Sequence, residues 1–205
     1  MSETIEHELS EVLYEIRTRR KDIGVALVVL IALALGWALR EYTLSRTQVF
    51  ADQATSFQVA YPAWWSNADS LQDVVLKVEN PETASTFKTN LTVEARDLDP
   101  QNPPTLQTLI DRRVAQRGAL TGYHFLSDEP ATVDGAKAQR LEYAYVVQPI
   151  DTPRRASLPV VVRAREYIVV TKDRVFYITL AAPEAEWAPS AGPRLDQIIQ
   201  SVHVP

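Results

Sequence analysis

Hydrophobic positions fall into three regimes along the chain. Ile5, Leu9, Val12, Leu13 and Ile16 recur at helical spacing among charged residues. From Ile23 to Leu39 there are seventeen residues without a charge. Beyond residue 46, short apolar runs alternate with polar residues and are divided by Pro, Gly and Asp. The first regime predicts a cytoplasmic amphipathic helix within residues 1–22. The second predicts a transmembrane helix over 23–40, with 41–50 as a linker or an extension of that helix. The third predicts a strand-rich extracytoplasmic domain over 51–205.

Length and composition support the membrane span. At about 1.5 Å per residue the run covers roughly 25 Å, and snorkelling of Lys21 and Arg40 brings the helix to the width of a hydrocarbon core. Ten of the seventeen residues are Leu, Ile or Val, favouring insertion by roughly 3 to 6 kcal/mol. A buried soluble helix rarely needs an apolar surface on every side. A cleaved signal peptide is the closer rival, because Ala32-Leu33-Ala34 has a small-x-small pattern. Against cleavage stand the long leading segment, with six acids, and the length of the apolar run. Arg17, Arg19, Arg20 and Lys21 precede the run, whereas Arg40 and Arg46 follow it, which places the N-terminus in the cytoplasm.

The leading segment has acids early and bases late, matching a helix macrodipole, and Glu15 and Arg19 are spaced i,i+4. Its stripe, including Ile5, Leu9 and Leu13, either rests on lipid or docks a neighbouring subunit.

In the third regime Phe57, Val59 and Tyr61 alternate with polar or small residues, as do Val74, Leu76 and Val78, and Leu91, Val93 and Ala95. Asp134-Gly135 predicts a hairpin leading into a strand with Leu141, Tyr143, Tyr145 and Val147 on one face. A last strand pair, about 159–171 and 175–182, turns at Lys172-Asp173. Two segments show helical spacing. Thr105 caps a helix to about Leu120 with Leu106, Leu109, Ile110 and Val114 on one stripe, ending near Gly118 or Gly122. Near the C-terminus, Pro193 fits a first turn and Leu195, Ile198, Ile199 and Val202 form the stripe. These helices cover a mainly antiparallel sheet, predicting an α+β fold, an α/β/α sandwich.

Composition narrows the function classes. The chain has no Cys, so no disulfide staples the domain, and about 155 residues suffice for one core. From residue 47 onward fifteen Lys and Arg stand against nineteen acids, giving no broad basic footprint for nucleic acid. His7, His124 and His203 are the only histidines, and the first is on the other side of the predicted span. No His-based metal site or triad is therefore expected, and the acid pairs fall in loop-like segments. Phosphate-loop and nucleophile-elbow motifs are missing, and no cofactor is implied. The expectation is a non-enzyme. Arg112-Arg113-Arg117 reads as a solvated face. Arg163, Arg165 and Tyr167, sharing one strand face opposite Val162, Ala164 and Ile168, form a candidate strip for an acidic partner surface.

Phe57-x-Val59-x-Tyr61-Pro62-x-x-Trp65 resembles the opening strand of the PsbP-like and DcrB-like domains, which form α/β/α sandwiches. Asn90-Leu91-x-Val93, Val133-Asp134-Gly135-x-x-Ala138 and Ser201-Val202 match further family motifs in order. The resemblance covers nearly all of residues 50–204 and implies an accessory rather than a catalytic role. Where the family commonly has Gly before this Trp, the chain has Trp64. If Trp65 packs inward, Trp64 is left partly exposed as a candidate contact for a partner or the lipid interface. The resulting expectation is a membrane-anchored accessory or assembly subunit with integral-membrane partners. The alternative is an envelope module that binds or senses a small ligand.

Overall fold

The computed structural model describes residues 2–68, 74–148 and 158–205, with segments 2–22 and 189–190 described by backbone alone. The chain divides into two units, one ending at Arg46 and the other spanning Thr47–Pro205.

The first unit is one helix, α1, Ser2–Ser45. Within it, Ile23–Ser45 has a mean hydropathy of 2.3 and none of its apolar window is buried. This segment is long and apolar enough to cross a membrane, a property shared by anchors and signal sequences. At its end the Thr43 hydroxyl donates to the Leu39 carbonyl at 2.9 Å and the Ser45 hydroxyl to that of Tyr42 at 3.1 Å. The second of these bonds satisfies a carbonyl that the last turn leaves without a helical partner.

The second unit begins earlier than the expected residue 51. Of the predicted 41–50 linker or extension, the helix takes residues to Ser45, and Thr47–Ala51 forms strand β1. β1 pairs antiparallel with β2, Gln58–Pro62, in a separate two-stranded ribbon. The remaining strands are β3 (Ser66–Asn67), β4 (Val74–Glu79), β5 (Asn90–Asp97), β6 (His124–Val133), β7 (Ala136–Val147), β8 (Val160–Val170) and β9 (Arg174–Pro183). They form a sheet in the order β3-β4-β5-β9-β8-β7-β6, with every pairing antiparallel. The β6–β7 turn has Asp134 and Gly135 at φ of 48° and 77°, the left-handed pair of a tight hairpin. β6 runs for ten residues before this turn. Pro130 and the acids Asp128 and Glu129 hide its alternation, and an edge strand tolerates such residues.

Helix α2, Leu106–Arg117, is capped by Thr105, whose hydroxyl accepts the Thr108 N–H at 3.2 Å. After it the chain turns at Gly122, with φ of 63°, where a Cβ would meet Val146 Cγ2 at 3.0 Å. A short helix α3, Glu184–Glu186, and a π-helical turn, Trp187–Ala191, lead into α4, Gly192–Gln200. The Ser201 hydroxyl accepts the Ala60 N–H at 3.0 Å, and Gln58 and His203 exchange backbone bonds of 3.0 and 2.9 Å. The end of the chain is thereby fastened to β2.

Alternation along the central strands builds two buried faces. Phe176, Ile178 and Leu180 of β9, with Leu91 and Val93 of β5, join Phe57, Val59, Tyr61, Leu195 and Ile198 in the larger core. Phe57 and Phe176 stack at 5.3 Å between ring centroids. On the other face Leu141, Ile168, Val175 and Tyr177 pack against Leu109 and Ile110 of α2. The result is an α+β sandwich, with α2 on one side and α4 with the β1–β2 ribbon on the other.

Candidate functional site

Two clusters of charge occupy opposite faces of β8, because its successive side chains alternate. On the face toward α4, the Arg163 guanidinium donates to Glu142 Oε2 at 2.8 Å and Arg165 Nε donates to Glu142 Oε1 at 2.7 Å. Arg165 also reaches Asp196 at 2.5 Å, and both guanidinium groups lie near the Trp187 ring, at 5.2 and 5.6 Å. Burial pushes the Glu142 carboxyl up, but the bonds and charges of Arg163 and Arg165 outweigh it and hold the group below the usual range. Tyr167 is in the core with 6% exposure. The Arg165 side chain is 13% exposed and that of Arg163 30%. The predicted strip is thus no open row. Tyr167 packs inward, Arg165 is enclosed between two acids and an indole, and Arg163 is the more accessible arginine.

Trp65 is buried, and Trp64 is half-buried against the same core. Their rings meet edge to face at 6.3 Å and 81°, with the Arg194 guanidinium 5.4 Å from the Trp64 ring. Ile5, Leu9 and Leu13 lie in the part of α1 described by backbone alone, so their side chains are outside the described residues.

The face toward α2 holds a cluster that the sequence pattern did not disclose. Glu166 of β8 is fully buried and receives Arg113 Nε at 2.6 Å, Arg117 Nη2 at 3.0 Å and the Thr179 hydroxyl at 3.0 Å on Oε1. The Tyr143 hydroxyl reaches Oε2 at 3.3 Å. Arg113 continues to Glu94 through bonds of 2.7 and 3.2 Å and to Gln116 at 2.8 Å, beneath the Tyr177 ring at 4.3 Å. Burial acts against the Glu166 charge, but Arg117 and Arg113 prevail and keep its carboxyl below the usual range. Burial raises the Tyr143 phenol well above its ordinary value and pushes Tyr145 up to about 12.

The solvated-face reading of Arg112-Arg113-Arg117 is therefore corrected. Arg112 is exposed, whereas Arg113 is buried and Arg117 points to Glu166. Two signals were present. Arg113 follows Leu109 by four and Ile110 by three, placing it on the apolar stripe of α2, and Glu166 sits between Ala164 and Ile168 on a buried register. A charged residue on each of two facing apolar surfaces is the pattern of a buried pair.

A paired, inaccessible carboxylate is unsuited to proton transfer, so the Glu166 cluster is architectural. Beside it opens a cleft of about 630 Å³, lined in part by Arg96, Asp97, Asp99, Thr105, Arg112 and Tyr177. Its charged walls differ from the apolar enclosure typical of small-molecule sites. Among the described residues, no group of three or more His, Asp or Glu is placed to hold a metal. His124 is exposed at the start of β6.

With this geometry established, comparison with solved structures gives the fold. The solution structure of cyanobacterial PsbP (CyanoP) from Synechocystis sp. PCC 6803 aligns with a TM-score of 0.56 at 17% identity, covering 78% of this chain and 92% of that one. The fold is PsbP-like. LpqN of Mycobacterium tuberculosis, described as involved in cell envelope biogenesis, aligns at 0.53 with 13% identity over 78% of this chain and 91% of its own. A protein from Bacteroides thetaiotaomicron aligns at 0.51 with 11% identity, over 77% of this chain and 48% of its own. No family model and no curated protein sequence matches. At these identities the PsbP-like likeness concerns the fold alone.

Proposed function

We propose that this chain is a non-catalytic, membrane-tethered accessory or assembly subunit of a membrane protein complex, with a cytoplasmic N-terminus and an extracytoplasmic PsbP-like domain that binds protein partners. The observation that carries the reading is the junction. The apolar helix runs to Ser45, and after Arg46 alone the domain opens with β1 at Thr47. If the helix serves as an anchor, so short a connection would tether the domain to the membrane. Internal pairing of Glu142 and Glu166 supports a binding rather than a chemical role. Trp64 and Arg163 are the accessible groups best placed to touch a partner, with Ile5, Leu9 and Leu13 on the cytoplasmic side. The PsbP-like fold of CyanoP and the envelope role stated for LpqN are consistent with this reading.

Purification of the tagged full chain in a mild detergent tests it. Stoichiometric co-purification of integral-membrane proteins is expected, reduced by Trp64→Ala without a large fall in melting temperature. A lone monomer overturns the proposal. The chain's lack of cysteine makes topology equally testable. A cysteine at Lys137 should react with a membrane-impermeant maleimide in intact cells, and one at His7 should not. The cleft beside α2 supports a second reading, an envelope module for a small polar ligand, which a retained small molecule on a lone monomer would favour.

A further inference from the structure

Sheet edges expose backbone groups that invite another strand, and folded proteins protect them with charge, Pro, bulges or brevity. In the large sheet, β3 at one edge has only two residues, and β6 at the other has Asp128, Glu129, Pro130 and a bulge between Phe125 and Ser127. In the ribbon, the outer side of β2 is covered. Gln58 exchanges backbone bonds with His203, and the Ala60 N–H donates to the Ser201 hydroxyl at 3.0 Å. β1 has none of these protections. Its residues, Thr47, Gln48, Val49, Phe50 and Ala51, carry no charge and no Pro, and β2 is its one strand neighbour among the described residues. Thr47, Val49 and Ala51 are exposed, Val49 to 63%, while Phe50 packs against the larger core.

The parity of the ribbon decides which groups of β1 face outward. Opposed residues of an antiparallel pair turn their backbone groups either toward each other or both away, in alternation. The Asp52 N–H donates to the Phe57 carbonyl at 2.9 Å, whereas Gln58 and Ala60 turn away from β1 to His203 and Ser201. Their register partners Ala51 and Val49 therefore turn away from β2, as does Thr47. A second copy laid antiparallel, with Val49 opposite Val49, sets Thr47 opposite Ala51 on either side, so every outward N–H of the strand meets an outward carbonyl. The same count brings Arg46, exposed beside the Tyr42 ring, level with Asp52 of the second copy. A two-fold axis repeats this opposite-charge pairing at the other end. β1 is thus complementary to itself in parity and in charge, which selects a second copy as its occupant. We propose that the outer edge of β1 is a homodimer interface, where two copies of this chain join β1 to β1 in a continuous four-stranded sheet. The inference rests on the ribbon and is independent of the membrane-complex reading.

Sedimentation of the full chain in density-matched detergent reads the assembly. The parent should sediment as a dimer. Val49→Pro removes an N–H that faces away from β2 and so spares the ribbon; it should sediment as a monomer with little change in melting temperature. Val49→Lys keeps the backbone intact and sets two like charges directly opposite, so it should also be monomeric, and it decides the matter if the proline variant fails to fold. Arg46→Glu, level with Asp52 of the second copy, should weaken the dimer, and Arg46→Lys should retain it. Asp52 is left in place because its Oδ2 accepts the Thr55 N–H at 2.9 Å. A monomeric parent overturns the proposal. So does a dimer that folded Val49→Pro and Val49→Lys leave unchanged, since the contact would then lie elsewhere on the chain, and so does a dimer indifferent to Arg46→Glu.

Discussion

Replacing Arg113 by Met removes a charge from the most enclosed site on the α2 face while keeping a long apolar side chain. The Arg113 side chain is 2% exposed and bonds Glu166 at 2.6 Å, Glu94 at 2.7 and 3.2 Å, and Gln116 at 2.8 Å. The variant leaves Glu166, itself fully buried, with Arg117 as its remaining cation. Breaking a buried pair in this way costs about 3 to 5 kcal/mol. For a domain of this size that lowers the melting temperature by about 6 to 20 °C. The double variant Arg113→Met/Glu166→Gln should lose less than the sum of the two singles, with a coupling on the order of 1 to 3 kcal/mol. The pH dependence has a definite sign. The folded-state carboxyls of Glu166 and Glu142 are held below their ordinary value. Their contribution is therefore present above the unfolded Glu pKa of about 4.3 and is lost as pH falls through the lower folded values. Thermal unfolding of the full chain in detergent, followed by near-ultraviolet circular dichroism from neutral pH to about pH 3, reads both effects. A shift below about 2 °C in Arg113→Met, or full additivity in the double variant, refutes the cluster as described.

Further outcomes follow from other parts of the fold. Arg165→Glu sets a carboxylate beside Glu142 and Asp196 and should destabilise the domain by about 3 kcal/mol or more, whereas Arg163→Glu, at a more open position, should cost less in the same melt. Trp65→Ala should cost about 3 to 5 kcal/mol and Trp64→Ala markedly less, as denaturant titration will show. Burial raises the phenols of Tyr143 and Tyr145, so their stabilising share is present below pH 10 and is lost as pH rises through the folded values. Tyr145→Phe should accordingly flatten the fall in melting temperature above about pH 10. Gly122→Ala meets both a positive φ and the Val146 side chain, and should lose about 1 to 2 kcal/mol in the same assay.

The elements most legible in the sequence were those with a local physical cause. Asp134-Gly135 requires a tight left-handed turn, Thr105 caps α2, and Leu195, Ile198 and Ile199 give α4 one apolar side. β1 was not legible because its five residues, Thr-Gln-Val-Phe-Ala, offer little more than one apolar pair and gain their partner only from β2. The early half of β6 was obscured by Pro130 and its acids, which are acceptable only because the strand is an edge. At the candidate site, the common face of Arg163, Arg165 and Tyr167 follows from period two, but their accessibility does not. It depends on Glu142 from β7 and on Asp196 and Trp187 from the C-terminal segment, all distant in sequence.

The two charge clusters help to explain how β8 keeps its register. A strand with one solvated face is fixed by hydrophobicity, because a one-residue slip turns its apolar side chains to water. β8 lacks that safeguard: Val162, Ala164 and Ile168 are buried on one side, and Tyr167 and Val169 on the other. A slip would exchange one set of apolar groups for another at modest cost. The charges make the same slip expensive. It would turn Arg165 toward Arg113 and Arg117, and Glu166 toward Glu142, replacing two sets of opposite charges with two sets of like charges in buried surroundings. The alternating pair Arg165-Glu166 therefore acts as a polarity mark on a strand that is otherwise apolar on both sides. In this reading the arginines of β8 and α2 specify which face of the sheet receives which helix.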